Sequence, residues 1–146
     1  MNYTKLAEQL LENMILANKS KTLLKLSKII HGEMFALQMI AIHDNDITPG
    51  DISKAAGTSP ARIAAELNSL DNKGLIVREI DPNNRRRILV HLTPKGKKIA
   101  QNYHCEGVDA ATELILQLGV EDAKEYIRIV GKLGAMQNEK DSSEQL

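Results

Sequence analysis

The sequence is poor in aromatic residues and in cysteine, and both shortages narrow the possible fold classes. Aromatic residues make up 3% of the 146 residues and tryptophan is absent, so the core must be aliphatic. A β-sandwich or β-barrel rich in Val, Thr and Tyr is therefore disfavoured, and a mainly helical single domain is favoured. The single cysteine, Cys105, excludes an internal disulfide framework and a tetracysteine zinc site.

Long apolar runs and the common catalytic motifs are also missing. No apolar run approaches the roughly 20 residues of a membrane span, and the first residues, with Lys5, Glu8 and Glu12, lack the apolar stretch of a signal peptide. We therefore expect a cytoplasmic protein without a membrane partner. There is no Walker loop, Gly-x-Ser-x-Gly elbow, Cys-x-x-Cys pair or His-Glu-x-x-His motif, so we expect neither an enzyme nor a protein with a cofactor.

The net charge is zero, but the charges are distributed unevenly along the chain. Residues 73–98 include eight basic and two acidic residues, whereas residues 99–146 include four basic and nine acidic ones. A local basic patch is the electrostatic feature expected of a nucleic-acid contact, although a solvated charged surface has the same composition. The basic segment is therefore where a contact with a polyanion is expected first.

Helical periodicity dominates the N-terminal part of the chain. Leu6, Leu10 and Met14 recur at i, i+4 and i+8 and predict an amphipathic helix from about Thr4 to Asn18. The polar residues 18–22 either interrupt this helix or form one exposed turn of a longer one. Two further segments with an apolar helical face follow before the turn-rich residues that precede the next motif.

Two short helices with clear start signals come next. Thr48-Pro49-Gly50-Asp51 supplies an N-cap hydroxyl, a proline at the first helical position and an acid three residues after the cap, and Ser59-Pro60 repeats the first two features. Gly57 lies between the two helices and allows a sharp turn. A short helix, a glycine turn and a second helix, predicted over residues 60–72, form a helix-turn-helix.

The apolar period then changes from that of a helix to that of a strand. Residues 75–80 and 87–92 are each predicted as a strand, and residues 81–86 are predicted as an arginine-rich turn at the tip of the hairpin. A two-stranded hairpin directly after a helix-turn-helix defines a winged helix-turn-helix. A helix of this kind fits the DNA major groove, and arginines at a hairpin tip can reach phosphates or the minor groove.

The remainder of the chain is predicted as two helices and a tail. The first helix begins at the Thr93-Pro94 cap and ends at Gly119. The helices within residues 1–31 and 94–137 add apolar surface that the winged lobe of residues 33–92 does not need. Burial of this surface against a second copy predicts a homodimer, with these helices as the dimerisation region. Residues 138–146 are polar and are predicted to be disordered.

From Gly74 to Gly96 the chain resembles the wing signature of the MarR (multiple antibiotic resistance regulator) family. The family pattern is a Gly-Leu-Val strand, an Asp-Pro-x-Asp-Arg-Arg tip, a second strand and Leu-Thr-x-x-Gly. This sequence has Gly74-Leu75-Ile76, Asp81-Pro82-Asn83-Asn84-Arg85-Arg86 and Leu92-Thr93-Pro94-Lys95-Gly96. The resemblance implies a homodimeric bacterial or archaeal transcriptional regulator, most simply a repressor, that binds a pseudo-palindromic DNA site. It also implies a small aromatic or phenolic effector that binds between the dimer helices and the winged lobe.

The expected DNA contacts are drawn from the second helix of the helix-turn-helix, the wing tip and nearby lysines. The major-groove contacts are expected from Ser59, Ala61, Arg62 and Ala65. The minor-groove or flanking phosphate contacts are expected from Arg85, Arg86 and Arg87. The contacts with the DNA backbone are expected from Lys54, Lys73 and Lys95.

Two departures from the family pattern bear on these expectations. Asn84 stands where the family has an acid that is thought to support an arginine of the wing, and an amide lacks the charge assistance of that acid. The second departure is that Arg62 is the single basic residue at the start of the recognition helix, so direct reading of bases is limited. These departures keep open an alternative class, a winged-helix dimer that acts through protein contacts as an anti-repressor or assembly module.

A metal or thiol sensor is a third class, and the residue spacing disfavours it. His104 and Cys105 are adjacent on a helix, where side chains point about 100° apart, and His31, Glu33 and His43 do not have a typical metal-ligand spacing. The acids beside Cys105 disfavour its thiolate, so we expect no metal site and no redox role. His31, Met34 and Met39 could line an effector crevice, but core packing is the simpler expectation for the methionines.

Overall fold

The computed structural model describes residues 1–144 and is mainly helical, with one antiparallel hairpin. In chain order the elements are α1 Tyr3–Ala17, α2 Lys21–Ile29, α3 Gly32–Ile42, α4 Pro49–Ala56, α5 Pro60–Asn72, β1 Ile76–Asp81, β2 Asn84–Leu92, α6 Pro94–Leu118 and α7 Val120–Ser143. The chain divides into two compact units, of which the first is Met1–Ala110 and the second begins at Ala111. The fold class predicted from the sequence, a winged helix-turn-helix with additional N- and C-terminal helices, is confirmed.

The polar residues 18–22 interrupt the N-terminal helix rather than forming a turn within it. Helix α1 ends at Ala17, and α2 begins after Ser20, whose side-chain oxygen accepts a hydrogen bond from the backbone N–H of Leu23 at 3.2 Å. A serine in this position satisfies one of the donors that the first turn of a helix leaves without a partner. The chain therefore has two N-terminal helices, a number that the sequence alone did not decide.

The helix-turn-helix is defined by local hydrogen bonds at α4 and α5. Thr48 and Asp51 form a reciprocal capping box at the start of α4, with N–H···O distances of 3.1 Å and 3.0 Å. Gly57 ends α4 in the left-handed region, with φ of 62°, which a glycine adopts without strain. The side-chain oxygen of Ser59 then accepts from the Arg62 N–H and starts α5. The sequence signals for both helix starts are thus confirmed.

The core of the first unit is aliphatic, as the composition predicted. Its fully buried side chains come from every element between α3 and β2, and they are Leu37, Ile40, Ile47, Ile52, Ile63, Leu67, Leu70, Ile76 and Val90. On α5 the buried residues recur at i, i+4 and i+7. This spacing leaves the opposite face of α5 exposed to solvent.

The start of α6 lies directly against the base of the hairpin. A Cβ built on Gly96 would lie 1.9 Å from the carbonyl oxygen of Leu75, so no larger residue fits there without a backbone shift. The side-chain hydroxyl of Thr93 donates to the Gly74 carbonyl at 2.7 Å and accepts from the Gly96 N–H at 3.0 Å. The Leu-Thr-x-x-Gly pattern is therefore explained by close packing of α6 on the wing.

The hairpin has a tighter tip than the sequence predicted. Strand β2 begins at Asn84 rather than at residue 87, and Asp81 pairs with Asn84 around a two-residue turn of Pro82 and Asn83. The prediction of a six-residue turn over residues 81–86 is therefore wrong. The next pair is Ile80 with Ile88, so the register shifts, and the three arginines 85–87 lie opposite a single step of β1. The tight tip was missed because the polar residues 84–86 have no alternating apolar pattern.

The final helix is longer than the sequence predicted. Helix α7 continues to Ser143, so the prediction of a disordered tail is wrong for residues 138–143, and residues 145 and 146 of that predicted tail lie outside the described residues. Side-chain contacts one turn apart accompany the extension: Gln137 donates to Asp141 at 2.9 Å, and Ser142 donates to the Asn138 carbonyl at 2.9 Å. None of the described helices is both long enough and apolar enough to cross a membrane.

Candidate nucleic-acid interface

The solvent-exposed face of α5 consists mostly of small side chains and carries little negative charge. Ala61, Arg62, Ala64 and Ala65 are all exposed, on the side opposite the buried leucines and isoleucine. Three alanines leave room for a second macromolecule to approach the helix backbone closely. The side chain of Ser59 is exposed too, but its oxygen is engaged as the N-cap of α5.

Arg62 is the one cation on the exposed face of α5, and it has an acidic neighbour. Its Nε lies 3.6 Å from Oε1 of Glu66, one turn further along the helix. The Arg62 side chain is 72% exposed and that of Glu66 is 16% exposed, so the guanidinium is free to leave the pair. An exposed pair of this kind contributes little to stability, and a phosphate or a guanine can compete for the arginine.

Arg85 and Arg86 project from the wing tip without any ion pair among residues 1–144. Both side chains are exposed, and the salt bridges of the described residues include neither of them. The side-chain oxygen of Asn84 accepts a hydrogen bond from the Arg86 N–H at 3.1 Å. The amide at this position therefore supports the backbone of the tip, while the two guanidinium groups remain available to a ligand.

Arg87 differs from its two neighbours because it is bound within the protein. Its Nη1 lies 3.3 Å from a carboxylate oxygen of Asp81 and 3.3 Å from one of Asp46, and its Nη2 lies 3.9 Å from Asp51. The hydrogen bond with Asp81 and the charge of Asp46 hold the pKa of Arg87 above its ordinary value. The three arginines predicted to contact DNA therefore divide into an exposed pair and one that contacts three carboxylates.

The three lysines that were predicted to contact the DNA backbone also fall into two groups. Lys54 is exposed on α4. Lys73 and Lys95 lie together where α5 ends and the hairpin begins, because Lys95 donates to the Lys73 carbonyl at 3.3 Å. Lys73 also donates to Glu33 of α3 at 2.7 Å, which raises the pKa of Lys73. Of these three lysines, Lys73 has a salt bridge in the described part of the chain, whereas Lys54 and Lys95 have none.

Arg78 and Asn68 are a further pair that sequence reasoning missed. Nη2 of Arg78, on β1, donates to the side-chain oxygen of Asn68, on α5, at 2.7 Å, and both residues are exposed. The pair links the wing to the recognition helix at the surface. Asn68 follows Ala61 and Ala65 at i+7 and i+3, so helical spacing could have identified it as part of the same exposed face.

Two cavities open within the first unit. The larger, of about 410 Å³, is lined by α3, the end of β2 and the first half of α6, with Gln38, Ile42, Leu92, Lys97, Gln101 and His104 among its residues. The smaller, of about 250 Å³, lies between His31, Phe35, Thr58 and Arg62. Of the three residues predicted as crevice-lining or core, His31 lines the smaller cavity and Met39 packs against the core.

No cluster of three or more His, Cys, Asp or Glu side chains within residues 1–144 has a geometry that could hold a metal ion. Cys105 is exposed, and its sulfur accepts a long contact from Gln101 at 3.8 Å. His31 and His43 each place a ring nitrogen against a backbone carbonyl one helical turn earlier, at 2.6 Å and 2.9 Å. Their geometry is that of local helix contacts.

Comparison with known proteins identifies a matching family model and several proteins of the same fold. Residues 31–87 match the model of the MarR family. Among curated relatives, the transcriptional regulator HosA of Escherichia coli O111:H- is 32% identical over 80 residues, which are 55% of this chain and 59% of HosA. The match therefore spans less than two thirds of that relative.

Solved structures of MarR-type proteins have the same fold over nearly the whole chain. The transcriptional repressor CouR, bound to a 23-mer DNA duplex, aligns with a TM-score of 0.69 at 18% identity, covering 92% of this chain and 98% of CouR. Streptococcus pneumoniae FabT, in complex with DNA, aligns with a TM-score of 0.63 at 24% identity, covering 96% of this chain and 99% of FabT. The fold and its exposed basic wing define a winged helix-turn-helix protein. Over residues 31–87 this chain is similar to the MarR family.

Proposed function

We propose that this protein is a transcriptional regulator that binds double-stranded DNA through α5 and the wing. The observation that carries the proposal is the pair of exposed wing-tip arginines, Arg85 and Arg86, which have no ion pair among the described residues. The small, acid-poor face of α5 supports it, because such a helix can enter the major groove closely. The relatives support it as well, since HosA is a transcriptional regulator and FabT was solved with DNA.

In this proposal the two surfaces have different roles. Arg62 and Asn68 on α5 contact base edges, since arginine and asparagine match the hydrogen-bonding groups of guanine and adenine. Arg85 and Arg86 contact the minor groove, whose negative potential attracts arginine, or the phosphates beside it. The protein acts as a repressor in the bacterial cytoplasm by occupying its operator.

We propose further that the protein works as a homodimer. Helices α1 and α7 expose apolar side chains that water does not favour, and these include Leu6, Leu10, Leu11, Met14, Ile15, Ile127, Val130 and Leu133. No residue of α1 is buried in the single chain. Burial of these faces against a second copy would give two-fold symmetry and two winged lobes. The operator is then an inverted repeat with half-sites about one helical turn apart.

The larger cavity is the proposed site of a small acidic effector. Lys97 offers a cation for a carboxylate, while Ile42, Leu92 and Ala100 offer apolar contacts for an aromatic ring. A titration of salicylate and benzoate, followed by calorimetry, tests this proposal with Lys97→Gln beside the wild type. Binding that the variant weakens supports the site, and equal binding to both proteins contradicts it.

The experiment that tests DNA binding is selection of bound duplexes from a random DNA library at physiological salt. Arg86→Ala is compared with the wild type, and Lys132→Ala on α7 is the control that removes one positive charge outside the winged lobe. Enrichment of an inverted repeat by the wild type and the control, but not by Arg86→Ala, supports the proposal. No enrichment by a folded dimer contradicts it.

The second proposed function is that of a winged-helix module that contacts another protein. The Arg62–Glu66 pair favours this reading, because it neutralises the one cation of α5, and the whole chain has no net charge. Salt dependence separates the two functions. A DNA-binding protein loses affinity steeply as salt rises, because each neutralised phosphate releases counterions, whereas a neutral protein-binding module has no affinity for DNA that could show such a slope.

A further inference from the structure

Arg87 connects three parts of the chain that are distant in sequence. Its guanidinium contacts Asp81 at the end of β1, Asp46 in the loop before α4, and Asp51 in the first turn of α4. Two of these carboxylates are more than 30 residues away from Arg87 along the chain. The contacts therefore connect the tip region of the wing to the first helix of the helix-turn-helix.

The wing needs such a connection because it is a hairpin of two strands. An isolated two-stranded hairpin is marginally stable in water. Near its base, β2 is held by hydrogen bonds from its backbone to the loop before α4. The Val90 N–H donates to the Ile47 carbonyl at 3.0 Å, and the Leu92 N–H donates to the side-chain oxygen of Asn45 at 2.9 Å. Towards the tip, the ion pairs of β2 with the same loop and with α4 within residues 1–144 are those of Arg87.

The position of Arg87 in the hairpin strengthens this interpretation. The register between the strands shifts at the three arginines, so the ladder itself does not fix their direction. Arg87 turns towards the carboxylates, and its side chain is 36% exposed, while that of Asp81 is 10% exposed. A half-buried arginine in a network of three acids is held more firmly than one in a single exposed pair.

We propose that Arg87 is a positioning residue, which anchors the wing tip to α4 so that Arg85 and Arg86 are held in place for the DNA. This inference builds on the proposed DNA binding, but it removes Arg87 from the expected DNA contacts. A wing that is fixed before binding loses less conformational entropy in the complex. The three aspartates, although they carry negative charge near the proposed interface, then favour DNA binding through Arg87.

The direction in which one substitution changes DNA affinity tests this inference. Asp81→Asn removes a negative charge, but the amide oxygen can still accept the hydrogen bond from the Asn83 N–H, which Asp81 accepts at 2.9 Å. If Arg87 positions the wing, Asp81→Asn weakens DNA binding by about three- to tenfold, as expected for the loss of one partly buried ion pair. If Arg87 contacts a phosphate instead, the same substitution frees it and strengthens binding.

Asp44→Asn is the matched control. Asp44 lies in the same loop as Asp46 and is exposed, and its backbone φ of 49° is one that asparagine also adopts readily. Its substitution removes the same charge without touching Arg87, so DNA affinity should stay equal or rise slightly. Arg87→Gln and Asp81→Asn should each weaken binding, and the double variant should be no weaker than Arg87→Gln alone. Additive losses, or stronger binding by Asp81→Asn, overturn the inference.

A second measurement needs no DNA and keeps this inference separate from the proposed function. Amide hydrogen exchange in the free protein reports local opening of the wing. Arg87→Gln should raise the exchange rates of the Arg85 and Arg86 amides by about three- to tenfold, which is the factor by which loss of the anchor populates open states. The Val90 amide at the base should be unchanged. Unchanged exchange at the tip overturns the anchoring, whereas a wild type that anchors its wing but binds no DNA contradicts only the proposed function.

Discussion

At the scale of single residues, the three wing arginines show how neighbouring identical side chains acquire different surroundings. Arg85 and Arg86 are exposed and unpaired in the described chain, and Arg87 contacts three carboxylates. The sequence shows three arginines in a row and predicts a basic tip. It does not show that Asp46 and Asp51 lie beside the third of them, because those contacts form only when the fold is complete.

Arg86→Ala should weaken DNA binding by about 1–3 kcal/mol if its guanidinium enters a groove. The loss arises because the Arg86 guanidinium has no ion pair within the described protein, so its charge is available to DNA. Fluorescence anisotropy at several salt concentrations measures both the affinity and its salt slope. A titration curve that coincides with the wild type would remove Arg86 from the interface.

Arg62→Ala should relax sequence preference more than it lowers overall affinity. Arg62 is the cation on the exposed face of α5, and it must leave Glu66 before it can contact a base. The loss of base contacts reduces discrimination between sequences, whereas the wing contacts are kept. Competition between the operator and scrambled DNA measures this preference. An equal loss on both duplexes would instead indicate a phosphate contact.

The ion pair between Glu33 and Lys73 should make the free energy of unfolding depend weakly on pH in the acidic range. Burial alone raises the pKa of Glu33, but the hydrogen bonds from Lys73 and Ser69 and the charge of Lys73 lower it below the ordinary value of 4.5. A carboxyl whose pKa is lowered in the folded state stabilises the protein above the unfolded pKa, and this contribution is lost as pH falls through the folded pKa.

Urea unfolding of Glu33→Gln at a series of pH values tests this dependence. The variant should be slightly less stable than the wild type near pH 7, because the pair is partly exposed and contributes little. The difference should disappear as the pH falls below about 4.5. A difference that persists unchanged in acid would mean that glutamine disturbs packing rather than charge.

At the scale of elements, the helix starts and the sharp turn could be predicted because their chemistry is local. The Thr48 capping box, the Ser59 cap and the left-handed Gly57 each depend on residues within four positions of one another. The hairpin tip could not be placed, since a two-residue turn and a register shift leave no periodic pattern in residues 84–86. The link from Arg78 to Asn68 was missed for the related reason that it joins two elements.

Gly96→Ala should destabilise the first unit. Overpacking usually costs about 1–3 kcal/mol, and we expect a loss near the upper end of that range. The added Cβ would lie 1.9 Å from the Leu75 carbonyl oxygen, so that α6 or the base of the wing must shift. Thermal unfolding measures the loss.

Gly50→Ala is the matched control for this substitution. Gly50 also lies in the first turn of a helix after a Thr-Pro start, but a Cβ there would be 3.8 Å from the nearest atom, the side-chain oxygen of Thr48. Alanine at this position should therefore leave the unfolding temperature equal or raise it slightly. If both variants behaved alike, the close approach at Gly96 would not be a structural requirement.

At the scale of the whole molecule, the exposed apolar side chains of α1 require a partner surface in the proposed function. Leu6, Leu10 and Met14 are 50%, 62% and 63% exposed in the single chain. Burial of a leucine side chain contributes about 1.5–3 kcal/mol, so a few such residues on each helix are enough to hold two copies together. The spacing of these residues predicts an apolar helix face from the sequence alone. It does not say what covers that face, and a second copy of the chain follows only from the proposed two-fold symmetry.

Leu10→Glu should weaken self-association, because it places a charge in the middle of the apolar face of α1. Each dimer would lose two buried leucines and gain two buried charges, so we expect the dissociation constant to rise by at least about a hundredfold. Gln9→Glu adds the same charge on the polar side of α1, near Glu8 and Glu12 in sequence, and should leave association unchanged.

Sedimentation equilibrium measures all three proteins at micromolar concentration. A wild type that sediments at 16.2 kDa would contradict the homodimer, whereas a dimeric wild type and control beside a monomeric Leu10→Glu protein would place α1 in the interface. Binding of that monomeric variant to a single half-site, with the full operator bound no more tightly, would then connect the dimer to the reading of an inverted repeat.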